Sequence, residues 1–405
     1  MTSPVTDIVE IAWSTALTGV FTLDSSLLGG PDVLSAPIGS GSYTWTDVTR
    51  EVKSVAITRG RPSDLQTMQQ GTCTLRLKDS AGKYNTLNPT SPLAGQLVPM
   101  RPLRVRRTLL ATSHYLFFGF INQIEHDPVA TAQESVIQAV DGLEWLNRAR
   151  PPAMATQINQ TTAQLITAIL VAVGWSDPAM RNIQAGGDVV PVWQDADGVK
   201  TALTLIQNLL QTDLGVFFFD AQGRATYFTR EYMLTGRAAV ATFDGTMVTA
   251  IKGSADALSI VNGQTVTRTG GVAQTAIDGA SRDAYGNRDG TPIVSPNLRS
   301  DAQALGLAQW LVGVQSQPRA PIRGIGLASR SDAELTQQLT REIGDVVTIT
   351  EPRGGSNVVA TIQSVAHQYD APSQVQRTTY IAQKAVATGF VLDASTLNGP
   401  DVLTY

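Results

Sequence analysis

Between residues 43 and 140 the chain is written in short runs where apolar and polar side chains alternate, and this two-residue period narrows its possible folds more than any other feature. Side chains that change face at every residue belong to strands with one wet face. Val52–Arg59, Thr72–Lys78, Leu103–Arg107, Tyr115–Ile121 and Ser135–Val140 are accordingly predicted strands. Gly, Pro, Asn and Asp fill the spacers, as turns require. Strand following strand at this spacing predicts a barrel or sandwich.

From 141 to about 235 the period lengthens to that of a helix. Asp141-Gly-Leu-Glu opens a short one, and Thr161–Gly174 sets Leu165, Ile169 and Val173 on one face between a Thr cap and a closing Gly. Thr201–Gln211 repeats the design with Leu205, Leu209 and Leu210, and two strands follow around the turn Asp220-Ala-Gln-Gly223. After 240 strand patterns return at Ser259–Arg268, Ile322–Leu327, Gly344–Thr350, Asn357–Val365 and Thr378–Gln383. One helix, Asp301–Val314, interrupts them, with Ser300 as its N-cap. The predicted fold class is mainly β with an α+β insertion, two barrel-like regions flanking a small α+β domain. The divisions are an extension at 1–40, a first barrel at 41–150, the insertion at 151–240, a second barrel at 241–385 and a tail at 386–405.

The extension and the tail carry the same motif. Phe21-Thr-Leu-Asp-Ser-Ser-Leu-Leu-Gly-Gly-Pro-Asp-Val-Leu34 returns as Phe390-Val-Leu-Asp-Ala-Ser-Thr-Leu-Asn-Gly-Pro-Asp-Val-Leu403, identical at ten of fourteen positions. A strand, a bend and an apolar pair cannot bury a face alone, so each copy needs a larger surface to dock on. Phe21, Leu23, Asp24, Pro31 and Asp32, with Phe390, Leu392, Asp393, Pro400 and Asp401, are therefore interaction candidates. Arg101, Arg104 and Arg106 are a further set, on a basic run that reads either as an exposed edge strand protected by charge or as a contact surface between subunits.

A formal net charge of −4 argues against a basic groove wrapped around phosphates. The single cysteine, Cys73, lies in an alternating run and reads as a small buried apolar residue. With only His114, His126 and His367, none in a ligand spacing, no zinc site is expected, and no cofactor. His126 reads as a turn histidine and His367 as a packing or interface residue. Asp195-Ala-Asp197-Gly198 resembles the start of a calcium loop but lacks its closing Glu. Gly-rich stretches at 185–188 and 353–356 lack the context of a phosphate loop. Acidic pairs such as Glu125 and Asp127 are not distinguished from others in the chain, so no catalytic residue is assigned and the chain is read as non-enzymatic. Met1–Asp7 has no basic region followed by an apolar one, and no run reaches about 18 apolar residues, so neither a signal peptide nor membrane insertion is expected.

The order of segments is informative as a whole. Val55-Ala-Ile-Thr-Arg-Gly-Arg61, Gly71–Tyr84, Leu87–Leu93, Pro99–Arg106 and Phe117-Phe-Gly-Phe-Ile-Asn122 together resemble the amino-terminal domain of minor tail proteins of long-tailed actinobacterial phages. Ser281–Arg288, the helix after it and Ile343–Thr350 resemble the second half of such tail-tip hubs. The resemblance implies two tail-tube-like β-barrel hub domains per subunit, so that a homotrimer forms a ring of six barrel positions. It implies as partners the tail tube or distal tail protein, other tail-tip proteins and the tape measure protein. Phage DNA would pass through the lumen without specific binding, along a wall expected to be acidic or neutral. The location implied is the virion tail tip, after assembly in the host cytoplasm.

Two other classes compete. A cell-wall-binding adhesin of the tail tip would present clustered surface aromatics, whereas Trp13, Trp45, Trp145, Trp175, Trp193 and Trp310 are scattered through mostly apolar surroundings. A cell-wall hydrolase would need an acid/base or zinc constellation, which the spacing does not offer.

Overall fold

A computed structural model describes residues 5–14, 43–63, 66–126, 133–234, 237–253, 260–295, 297–318, 322–351, 357–371 and 375–384. Both copies of the terminal motif, with Phe21, Leu23, Asp24, Pro31, Asp32, Phe390, Leu392, Asp393, Pro400 and Asp401, lie outside the described residues.

The first strand-rich region contains β1 (Val5–Ile11), β2 (Thr46–Asp47), β3 (Val52–Gly60), β4 (Gln69–Lys78), β5 (Pro102–Leu109), β6 (Thr112–His126) and β7 (Glu134–Val140). Alternation decides which way each strand faces. In β4, Gly71, Cys73, Leu75 and Leu77 point inward while Thr72, Thr74 and Lys78 face water. The inward set joins Trp13, Tyr84, Phe117 and Ile137 in one core.

A mixed region follows, with α1 (Gly142–Arg148), β8 (Met154–Thr161), α2 (Thr162–Ala172), β9 (Arg181–Ile183), β10 (Val189–Asp195), α3 (Ala202–Asp213), β11 (Val216–Phe219), β12 (Ala225–Phe228) and α4 (Arg230–Leu234). Its helices start where the caps predict. Thr161 and Gln164 form a reciprocal capping box, and the Thr201 side chain accepts from the Thr204 amide. Leu165, Ile169, Leu205 and Leu209 pack with Trp175 and Phe219 in a second core.

The remaining elements are β13 (Ala241–Phe243), β14 (Val248–Gly253), β15 (Gly263–Arg268), β16 (Gln274–Ile277), α5 (Gly279–Tyr285), β17 (Ile293–Ser295), α6 (Asp301–Gln315), β18 (Ile322–Ala328), α7 (Asp332–Thr340), β19 (Val346–Thr350), β20 (Asn357–Asp370) and β21 (Val375–Lys384). Helix α6 begins after Ser300, as its cap predicts, and covers the small sheet β16-β15-β17. Helix α7, which the sequence reading did not identify, inserts Leu335 and Leu339 into the core of the first region.

One expectation is corrected. The two strand-rich regions are not separate barrels: they share a 13-stranded sheet in the order β14-β18-β21-β20-β3-β4-β7-β6-β5-β1-β2, with β19 and then β13 branching from β20. No sheet closes into a hydrogen-bonded barrel among the described residues. The physical reason is the length of β20. Its first residues pair with β19 (Val346↔Thr361 to Thr350↔Asn357), and its last seven pair with β3 (Ser364↔Gly60 to Asp370↔Ser54). One strand thus continues the sheet across both regions. The sheet still curls, so that Arg107 of β5 donates to Gln376 of β21 and lies over the ring of Tyr369 in β20. Side chains, rather than backbone pairing, close the first core at that point. No helix among the described residues is long and apolar enough to cross a membrane.

Candidate functional site: a seam between two like units

The strand register reveals a duplication. Strands in the order β1-β5-β6-β7-β4-β3 form the first unit, and β13-β19-β20-β21-β18-β14 form the second, with equivalent strands in the same chain order. Two of the ladder irregularities coincide too. The β6–β7 ladder slips between Ile121 and Gln123, and the β20–β21 ladder between Ile362 and Ser364. The β3–β4 ladder slips between Val52 and Ser54, and the β14–β18 ladder between Val248 and Ala250. Entry into the middle strand is also shared: Met100 donates to Ile121 at 2.6 Å and Ile121 to Arg101 at 2.8 Å, while Gly344 donates to Ile362 at 2.8 Å and Ile362 to Asp345 at 2.9 Å. Met100 and Gly344 both have positive φ, 66° and 90°. Buried positions match as well, Leu75 with Ile325, Leu77 with Leu327, Leu103 with Val347 and Ile137 with Tyr380. The units differ at the last strand, where β1 runs antiparallel to β5 but β13 parallel to β19. Bulges at the same places in the same ladders are designed features of a strand's path, so their coincidence marks two versions of one unit.

The seam joins these units where β3 of the first meets the far half of β20 in the second. Arg59, 3% exposed, reaches Glu342 with Nη1 at 2.9 and 3.0 Å, and Glu342 also accepts the Ala221 amide at 3.0 Å. Ser364 Oγ donates to the Arg59 carbonyl at 2.8 Å, and Arg61 Nε donates to Gln363 Oε1 at 2.8 Å. The Arg59 charge is thus paired with Glu342, the condition under which burying it is tolerable, while its Nε has no hydrogen-bond partner and Arg61 is held by the neutral Gln363 and by the Gln66 carbonyl at 3.0 Å.

His367 is buried in the seam, its Nδ1 3.0 Å from Thr378 Oγ1. Burial, reinforced by the nearby Arg59 and Arg107 charges, pushes its pKa down to about 3. An unfolded histidine takes a proton below about 6.5, whereas this one stays neutral in the fold until about pH 3. Stability is therefore expected to fall by about 1.4 kcal/mol for each pH unit below 6.5 through this one group. Urea unfolding at pH 7 and pH 4.5 measures it. His367→Gln should flatten that part of the slope, and an unchanged slope would remove His367 from the account.

The basic run does not lie on an edge strand. Strand β5 is paired on both sides, by β1 and β6, so it is not an edge. Arg104 grips Glu10 at 2.7 and 3.1 Å and lies 4.1 Å from the Trp45 ring centroid, and Arg106 reaches the same Glu10 at 2.6 and 3.0 Å. Burial opposes ionisation of Glu10, but hydrogen bonds and charges from both arginines hold its carboxyl below the usual range. Arg101 is buried, with Nε 3.4 Å from the Gln96 carbonyl. Arg104 and Arg106 tie β5 to β1 within the chain, whereas Arg101 holds the Gln96 loop. Cys73 is fully buried in the first core, where burial pushes its thiol up.

Among the described residues no group of three His, Cys, Asp or Glu could hold a metal. Asp195 is buried with Lys200 Nζ 3.8 Å away. A cavity of about 480 Å³ lies where the units meet the mixed region, walled by Met68, Ile206, Leu210, Phe217 and Trp310 with Arg61 and Arg230 among its polar groups. It offers space without an acid/base pair.

The fold is that of phage and prophage tail proteins. It is similar to the 43 kDa tail protein of prophage MuSo2 from Shewanella oneidensis, at 15% identity and a TM-score of 0.54, over 84% of this chain and 95% of that one. It is similar to a tail protein from Neisseria meningitidis MC58, at 10% identity and 0.58, over 94% and 96%. It also resembles prophage tail protein gp18 of Listeria monocytogenes EGD-e, at 12% identity and 0.50, over 93% and 94%. No protein-family model matches the chain, and no curated protein matches it.

The resemblance implied two like domains, but the residues alone barely show the duplication. Its trace is Ile121-Asn-Gln-Ile-Glu-His126 against Ile362-Gln-Ser-Val-Ala-His367, in which only the first and last residues are identical. The shared register, not the residue identity, makes the two comparable.

Proposed function

We propose that the chain is a structural subunit at the tail tip of a long-tailed phage, a non-enzymatic hub whose copies form a homotrimeric ring ending the tail tube. One observation carries this reading: two like units joined edge to edge in one sheet. A subunit that holds two equivalent positions lets three copies offer six, which joins a six-fold tube to a three-fold tip. The likeness to tail proteins of matching length supports it. In this reading the partners are the tail tube or distal tail protein, the tape measure protein and other tip proteins, and DNA passes through the ring without being held. Trp13, Trp175 and Trp193 are buried, so they form no exposed aromatic platform of the sort a glycan-binding adhesin would use. Mass and image symmetry of the assembled protein test the proposal, as set out at the end of the Discussion.

A further inference from the structure

We propose that the carboxy-terminal copy of the repeated motif docks in the cavity where the two units meet the mixed region of its own chain. Phe390 and Leu392 would cover the apolar wall, and the acids of the motif would meet Arg61 and Arg230. The motif needs a larger surface to dock on, and this assigns one to it independently of the ring.

The described part of β21 ends at that cavity. The strand runs to Lys384, and Gln383, the residue before it, stands in the cavity wall together with Thr361, its partner across the strands. Residues 385–405 lie outside the described residues, and Phe390 follows Lys384 by six positions in sequence. Six residues span at most about 20 Å when fully extended. The chain that leaves β21 beside the wall thus has the cavity within reach of Phe390. The amino-terminal copy has no such start, because neither Ser14 nor Tyr43, the described residues on either side of it, lines the cavity.

The wall is apolar and incompletely covered. Leu210, Leu214, Ile293 and Trp310 are half-buried, and Val294 is 61% exposed. Apolar groups gathered in one concave wall gain by being removed from water. A volume of about 480 Å³ lies in the range of sites that enclose a compact, mainly apolar ligand.

Charge selects the same occupant. Arg61 and Arg230 are the cations of the wall, Arg230 lying 5.6 Å from the Trp310 ring centroid, and no Asp or Glu among the described residues lines it. After Lys384 the sequence holds Asp393 and Asp401 and no Lys, Arg or His. A segment whose charged side chains are both acids thus starts beside a wall whose charged side chains are both basic, and attraction between them is strengthened where water is partly excluded. The short connection favours the chain's own tail over a neighbour's, since a short tether raises the local concentration to the order of millimolar.

The test is labelling of an introduced thiol in the full chain, whose native Cys73 is buried and does not compete. Val294→Cys places a thiol in the wall at an exposed position, where the change leaves the fold intact. Its reaction with a small maleimide should be slower by about ten-fold or more than in a chain that also carries Phe390→Asp and Leu392→Asp, the least that burying one large apolar side chain supplies. Equal rates in the two chains, whether fast or slow, would overturn the proposal. Protection that fades on dilution would place a neighbouring copy's tail in the cavity and so overturn the assignment to the same chain. Neither result bears on the ring, which is read from mass and symmetry.

Discussion

Gly60→Val is expected to destabilise the protein by roughly 4 kcal/mol or more and to open the seam before either unit unfolds. Gly60 closes the β3–β20 pairing with φ of +108°, in the region that side chains with a Cβ rarely adopt. A Cβ there would lie 2.2 Å from the Gln363 carbonyl oxygen and 2.6 Å from Ser364 Cα. Both obstacles are backbone, at the β20 bulge that both units share, so neither can swing aside as a side-chain tip would. Moving them would break the hydrogen bond that the Arg61 amide donates to the Gln363 carbonyl at 3.0 Å and slip the ladder that follows. Branching at Cβ makes Val worse than Ala. Denaturant midpoints give the loss, and hydrogen exchange shows whether β3 and β20 exchange before the unit cores. A loss under about 1 kcal/mol would mean that the two units are not held in this register.

Arg107→Ala is the second large effect, a loss of about 3–5 kcal/mol. Arg107 is 3% exposed, with Nε 2.8 Å from Asp7 Oδ1, an amino-group bond to Gln376 and the Tyr369 ring 5.0 Å away. It is the point at which the curled first unit meets β20 and β21. Burial pushes the Asp7 carboxyl up even with Arg107 beside it, so removing the guanidinium leaves a half-buried acid without its counter-charge. Adding Asp7→Asn to Arg107→Ala should return a large part of the loss, because the stranded charge, not the missing contact, carries most of it. Equal losses in the single and double variants would show that packing of the arginine stem dominates instead.

The strands of the large sheet were legible because their wet and dry faces alternate: Cys73, Leu75 and Leu77 turn inward between Thr72, Thr74 and Lys78. Helices α2, α3 and α6 were legible from Thr161, Thr201 and Ser300, whose side chains cap orphan amides. Helix α7 is nine residues long, and its short apolar set, Leu335 and Leu339, gave too little period to stand out. The seam was not legible. Pairing between Gly60 and Ser364 joins residues some three hundred apart, and nothing local in either strand names its partner. That the two strand-rich regions share one sheet was not legible for the same reason: alternation fixes a strand's face but not its neighbour. Arg104 and Arg106 illustrate the limit for charges, because a basic strand seen alone cannot show that Glu10 lies beside it.

Mass measurement of the purified full chain, with image averaging of its particles, bears most directly on the ring. Three subunits in a closed ring whose density repeats six times around the axis is the expected result. A monomer at all concentrations, or an oligomer without that repeat, would contradict the account of two like units serving as equivalent positions in a hub.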